Sequence, residues 1–150
     1  MAAFQHILFP TDFGDSSQRA LELAIELSNR FDASLTLIHT FEIPPYAYSG
    51  TTFSPIDLLN PIEDFARQEF DTALVALRKR VPSAKGLLRR GIPWRAIQEA
   101  IVETHADLVV MGTHGRRGVV HAFLGSVAEK TVRMSTVPVL TVRGGTDSKP

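Results

Sequence analysis

Asp107-Leu-Val-Val-Met111 runs directly into Gly112-Thr113-His114-Gly115, and after nine further residues comes Gly125-Ser126. The apolar run reads as a buried strand, and the pattern that begins at Ser126 reads as a helix. Between them lies a glycine-bearing loop that leaves the carboxyl end of a strand and closes on a second glycine at a helix start. Glycine admits positive φ and lets a ligand approach the backbone closely. A helix N-terminus adds unpaired N–H groups and a partial positive charge that favour an anion. In open α/β sheets, ligands sit outside the carboxyl ends of the strands. Strand, loop and helix start together predict a phosphate cradle, and with it a nucleotide binder.

Outward from the cradle, apolar runs alternate with helical patterns. Phe4 to Pro10 reads as a buried strand, followed by Asp15, Ser16 and Ser17 as capping side chains for a helix. Ala20, Leu23, Ala24 and Leu27 form one apolar face of that helix. Ser34 to Thr40 is a second apolar strand. A helix between two such strands favours a right-handed crossover and a parallel sheet. Phe41 to Pro61, with Pro44, Pro45, Pro55 and Gly50, breaks the rhythm and reads as a long irregular loop of the kind that often carries function. Ile62 to Arg80 reads as a helix and Lys85 to Arg90 as a charged edge strand. Pro93 suits the first turn of a helix in which Ile97, Ala100 and Ile101 share a face. Ser126 to Met134 is a last helix, Val137 to Val142 a last strand, and residues 144–150 a frayed tail. All 150 residues are expected to form a single domain.

The cradle lacks the Gly-x4-Gly-Lys-Ser/Thr of a Walker A loop, and the first strand leads into Pro10-Thr11-Asp12-Phe13-Gly14 rather than a dinucleotide fingerprint. Its spacing, Gly-x2-Gly-x9-Gly-Ser, resembles that of the ATP-binding subgroup of the universal stress protein family. The resemblance extends from about Phe4 to Arg143. It includes His6-Ile-Leu-Phe-Pro-Thr-Asp12, Leu35-Thr-Leu-Ile-His-Thr40, Gly91-Ile-Pro93 and Val137-Pro-Val-Leu-Thr-Val142. It implies a Rossmann-like α/β fold, an open five-stranded parallel sheet of order 3-2-1-4-5 with helices on both faces. It also implies a dimer, and ATP held at the carboxyl ends of the first and fourth strands.

On that resemblance Gly112, Gly115 and Gly125 line ribose and phosphates, and Ser126 supplies donors to them. The alternative is that the glycines only shape turns and Ser126 caps the last helix. Pro10, Thr11 and Asp12 correspond to a turn that borders the adenosine, the alternative for Asp12 being an N-cap or turn role for the helix that follows. Thr40 and Met111 lie at strand ends, and Thr40 stands where the family reads adenine through main-chain groups. Thr113, His114 and Arg116 accompany the glycines. Arg116 and Arg117 could pair with phosphates bidentately or belong to a solvated loop. His114 has no assignable catalytic partner, and His105 and Asp107 have only weak metal-like spacing. The sole tryptophan, Trp94, reads as packing at a helix start. Relatives often carry a hydroxyl residue where this chain has Val127, or in some of them where it has Ala128, so the resemblance does not extend to one phosphate contact of the family.

Zero formal net charge and the lack of a basic run argue against nucleic acid as a partner. The absence of cysteine excludes disulfides and thiolate metal sites. Neither a secretory leader pattern nor an apolar stretch of bilayer length occurs, so a cytoplasmic protein without a membrane partner is expected. Three functions fit these features. One is a regulatory ATP binder of stress response, with unknown protein partners and with Mg²⁺ arriving on the phosphates. Another is a slow ATPase or nucleotidyl transferase, although Thr113-His114-Gly115 is not the His-x-Gly-His of such transferases. The third is a nucleotide-free interaction module, against which the intact glycines speak. No base or two-metal acidic pair is evident, so hydrolysis should be absent or very slow. The closing strand 137–142, apolar and β-branched, should lie at a sheet edge and pair with its copy in a homodimer.

Overall fold

The computed structural model describes residues 3–44, 55–114 and 124–144. Nine elements follow one another. They are β1 (His6–Pro10), α1 (Asp15–Phe31), β2 (Ser34–Phe41), α2 (Pro55–Arg80), β3 (Lys85–Arg90), α3 (Pro93–Thr104), β4 (Leu108–Gly112), α4 (Ser126–Met134) and β5 (Val139–Val142). The strands form one five-stranded sheet of order β3-β2-β1-β4-β5, and every pairing is parallel. That is the predicted order, with β3 and β5 at the edges.

Alternate side chains of the central strands feed two cores. Ile7 and Phe9 of β1, Leu35 and Leu37 of β2, and Leu108 and Val110 of β4 pack beneath α1 and α2, against Ala20, Ala24, Phe70 and Leu77. Leu8, Ile38, Val109 and Met111 face the other way, against Ala96, Ile97, Ala100 and Ile101 of α3 and Ala128 of α4. Strands covered on both faces must be apolar at consecutive positions, which is why β1 and β4 read as continuous runs. Gly86 of β3 lies so close beneath α2 that a Cβ would come within 2.6 Å of the Phe70 ring.

Two expectations are corrected. Helix α2 begins at Pro55, not Ile62, and carries Pro61 inside it. Pro55 fits a first turn, where its missing N–H is not needed. Pro61 reads as a breaker but is tolerated near the start of a helix of 26 residues. The part of the predicted loop at 45–54 lies outside the described residues, as does the tail at 145–150. The capping assignment also changes. Gly14 is the N-cap of α1 and makes no side-chain cap bond, while Ser16 and Ser17 are buried within the first turn.

At the amino edge, the Asp107 carboxylate accepts from the Gln5 N–H at 2.8 Å and the His6 N–H at 3.0 Å, tying β1 to β4. Asp107 therefore has a structural task, and His105 is the left-handed C-cap of α3. His6 shares a 2.8 Å hydrogen bond with the buried Thr36 hydroxyl. Burial, reinforced by the Lys85 ammonium and opposed by Asp107, holds the His6 imidazole below its ordinary pKa. A folded-state value below the unfolded one means that protons favour the unfolded chain. The His6 contribution is thus fully present above about pH 6.5 and lost as pH falls below it. Urea midpoints at pH 7.5 and 5.5 should accordingly fall further for the wild type than for His6→Gln. Parallel pH dependence in the two proteins would remove His6 as the cause.

Candidate functional site

β1 and β4 are neighbours at the centre of the sheet. The chain leaves β1 toward α1 on one face and leaves β4 toward α4 on the other. The opposite departures open a crevice at the carboxyl ends of these two strands, the switch point at which open α/β sheets bind ligands. Pro10, Thr11 and Asp12 stand on one side of it. Met111, Gly112, Thr113 and His114 stand on the other, and Gly125, Ser126 and Val127 open α4. Thr40 lies at the end of β2, paired with Arg89 of β3. Gly115 and Arg116 lie outside the described residues.

The turn after β1 is held by several bonds. Phe13 has φ of 65°, a left-handed conformation unusual for a bulky residue. Its N–H donates to the Thr11 hydroxyl at 3.0 Å, and the Gly14 N–H donates to Asp12 Oδ1 at 2.9 Å. The Ser17 hydroxyl donates to the same Asp12 oxygen, also at 2.9 Å. Thr11 N–H continues the ladder to the Ile38 carbonyl. His39, buried one residue before Thr40, donates through Nδ1 to the Thr11 carbonyl at 2.8 Å. The Phe13 ring lies against the His39 ring, with centroids 4.4 Å apart. Asp12 thus performs the turn role that the sequence left open.

The cradle loop is closed at its base. Thr113 N–H donates to the Val142 carbonyl at 2.9 Å, prolonging the β4–β5 ladder. Gly125 N–H donates to the Thr113 carbonyl at 2.6 Å, so the two ends of the loop meet. Thr113 is buried, and its hydroxyl shares a 2.9 Å bond with His114 Nδ1. Gly125 is the N-cap of α4, with φ of −68°, and as a glycine it brings no side-chain cap of its own. Such dihedrals are open to any residue, so the backbone does not demand glycine there. Ser126 is exposed in the first turn, whose N–H groups are the ones a helix leaves unpaired. Met111 is buried in the core shared with α3 and α4, and Val127 is packed at its border.

Gly112 differs from Gly125. A Cβ on Gly112 would collide with the Ser16 hydroxyl and come within 2.7 Å of the Ser16 carbonyl carbon and 2.9 Å of the Ser17 nitrogen. Its glycine identity is a packing requirement of α1 against β4. The same close approach lets the Ser16 hydroxyl donate to the His114 carbonyl and accept from the His114 N–H at 3.3 Å. One side chain of α1 thereby joins both sides of the crevice. The sequence reading missed Ser16, Ser17, Phe13 and His39. Serines beside an aspartate read as caps, and a histidine near a strand end carries no sign of the carbonyl it meets. Among the described residues, no group of three His, Cys, Asp or Glu side chains could hold a metal ion, and no helix is long and apolar enough to cross a membrane.

Residues 3–143 match the profile of the universal stress protein family. A universal stress protein of Thermus aquaticus is 36% identical over 140 residues, covering 93% of this chain and 99% of its own. A solved protein of Methanocaldococcus jannaschii superposes with a TM-score of 0.80 at 23% identity, over 95% of this chain and 98% of that one. A universal stress protein solved in complex with cAMP gives a TM-score of 0.69 at 23% identity, over 95% of this chain and 99% of that one.

Replacing Gly112 by alanine should force the start of α1 away from β4. Overpacking of this kind costs about 1–3 kcal/mol, read as a lower urea midpoint. The clash includes backbone atoms, so adding Ser16→Ala should not restore the lost stability. Full recovery in the double variant would show that only the serine side chain stood in the way.

Proposed function

The chain belongs to the universal stress protein family, and on that footing we propose that it is a nucleotide-dependent regulatory protein that holds ATP in the crevice between β1 and β4. The observation that carries this reading is the pairing of two unlike surfaces across one switch point. On one side is the braced Thr11-Asp12-Phe13 turn, and on the other the start of α4, where the N-cap is a glycine without a capping side chain of its own. The first suits a nucleoside edge and the second suits phosphates, because a helix start favours negative charge. A solved neighbour of the same fold binds an adenine nucleotide, cAMP, which supports the choice of base.

In this reading the first-turn N–H groups of α4, with Gly115, Gly125 and Ser126, receive the phosphates. Arg116 adds charge to them. Thr11, Asp12, Gly112 and Thr113 border the ribose, and the main chain at Thr40 and Met111 meets the base. Val127 offers only its backbone, and His114 is held in place by Ser16. Mg²⁺ comes with the nucleotide, bound by phosphate and water. The residues bind without supplying an activated base. Binding that stabilises ground and transition states alike does not accelerate hydrolysis, so ATP acts as a signal and not as a substrate.

Calorimetric titration should show ATP binding to the wild type and at least a tenfold loss in Gly125→Val, since a branched side chain would occupy the path of the phosphates. The dihedrals at Gly125 accept valine, so the variant should keep its circular dichroism. Phosphate release during the titration should stay at the spontaneous level. A wild type that binds no ATP, or a folded variant of equal affinity, would overturn the proposal.

The same regulatory reading includes a homodimer through the closing strand expected at 137–142, which in the structure begins at Val139. β5 pairs with β4 alone among the described strands. Leu140 on it is exposed, as are Val132 and Met134 of the preceding helix. Two such edges can satisfy one another about a two-fold axis. Light scattering should report a dimer at micromolar concentration and a weakened one in Leu140→Pro, with folding followed by circular dichroism. A wild-type monomer, or a folded variant that stays dimeric, would count against this edge.

A further inference from the structure

Trp94 lies in the first turn of α3, half-buried, and two cations share its indole. The Arg95 guanidinium carbon is 5.3 Å from the ring centroid and the Lys130 ammonium of α4 is 5.1 Å from it. Both fall within the roughly 6 Å at which a cation is attracted to an aromatic face. Both side chains are exposed, and among the described residues neither meets a carboxylate. Two acidic groups of these helices are engaged elsewhere, and Glu99, one turn after Arg95, makes no ion pair with it among the described residues. Glu103 takes the Arg89 guanidinium at 2.7 Å, and Glu129 takes Arg133 at 2.6 Å. Ile92, the N-cap of the same helix, leaves a large apolar side chain 42% exposed.

Elsewhere on this electrically neutral chain several helix arginines are matched by glutamates, at Arg30–Glu26, Arg67–Glu63 and Arg80–Glu22, while Arg78 donates to the Ala84 carbonyl. Here two like charges lie on one flat apolar ring, 5.3 and 5.1 Å from its centroid, with no carboxylate paired to either among the described residues. Their mutual repulsion costs energy that a carboxylate placed between them would remove. Tryptophan and arginine are also the residues that most often anchor protein interfaces. We propose that Trp94, Arg95 and Lys130 form a docking site for an acidic peptide segment of a partner protein, one that sets an apolar side chain on the indole and carboxylates on the two cations.

The surface differs from the nucleotide cradle in every residue named, so it stands whether or not ATP binds. An acidic segment fits better than nucleic acid, because the chain offers no net positive charge to draw a polyphosphate. The apolar neighbour Ile92 likewise suits a peptide more than a phosphodiester backbone.

Trp94 is the only tryptophan in the chain, so its fluorescence reports this site alone. The probe is a capped pentapeptide of four glutamates around a central leucine, titrated into the full chain at low salt. Its lysine counterpart and a thymidine oligonucleotide of similar length serve as the other arms. The acidic peptide should change Trp94 emission in a saturable way that weakens with salt. Its affinity should fall roughly two- to fivefold in Arg95→Gln and again in Lys130→Gln, the range of single exposed charge pairs. Calorimetry on Trp94→Phe, which keeps an apolar ring, should show binding retained but reduced. No saturable response at millimolar peptide would overturn the proposal. So would an equal response to the lysine peptide, or affinities untouched by both charge substitutions. Tighter binding of the oligonucleotide would replace it with a nucleic-acid site.

Discussion

Gly112 lets the first turn of α1 rest on the end of β4 at backbone distance, and the arrangement of the whole carboxyl edge depends on that contact. With α1 seated there, Ser16 reaches both backbone groups of His114 and Ser17 reaches the Asp12 carboxylate. Any side chain at position 112 would push the helix start outward and separate these partners. The hydrogen bonds themselves contribute only about 1 kcal/mol each, far less than burial of Ile7, Phe9, Val109 and Val110 in the two cores. Their effect is positional. The cores make the sheet stable, and the glycine contact decides where the β1 turn stands relative to the β4 loop.

The turn at Phe13 shows the same division between stability and placement. A bulky residue at positive φ costs on the order of 1–3 kcal/mol, and here its side chain packs against the core under α1 and α2. It is offset locally by the Thr11 and Asp12 side chains, which accept from the two N–H groups following them, and by the His39 ring beneath Phe13. Three or four bonds worth about 1 kcal/mol each are of the same size as that strain. The conformation is therefore set by Thr11, Asp12, Ser17 and His39 together. Strain held in place by its surroundings is commonest where a protein must present backbone in a fixed pose, and this turn forms one wall of the crevice.

The sheet was legible in the sequence because its central strands are buried on both faces. Burial on both sides removes polar residues from consecutive positions, so Ile7 to Pro10 and Leu108 to Met111 stand out as unbroken runs. The order of strands came through family resemblance, and the parallel pairings observed agree with it. The start of α2 was obscured because Pro55 and Pro61 read as loop residues, although Pro55 is harmless in a first turn and Pro61 is carried inside the helix at the loss of one i→i−4 bond. The cradle glycines were visible, but their separate duties were not. Gly112 answers to a helix about a hundred residues earlier in the chain, and no local pattern encodes such a contact. Ser16 and His39 were missed for the same reason. Their partners are backbone groups of distant segments, and a backbone carbonyl has no letter in the sequence.

The two layers of the fold are joined by polar contacts at the carboxyl edge, and this bears on how a ligand would act. α1 belongs to one core and α4 to the other. The continuous strands between them transmit little adjustment, because close-packed interiors do not deform gradually. At the carboxyl edge, Ser16 crosses from the α1 layer to His114 at the start of the loop that leads to α4. The Thr113–Gly125 bond pins the base of that same loop. A ligand seated in the crevice would contact the turn from one layer and the helix start from the other, and so would favour the packing in which both are aligned. Its stabilising effect follows mass action, about 2.7 kcal/mol at a hundred times its dissociation constant. Between two folded arrangements, however, the ligand acts only through the difference in its affinity for them, and that difference is set against Ser16 contacts of about 1 kcal/mol each.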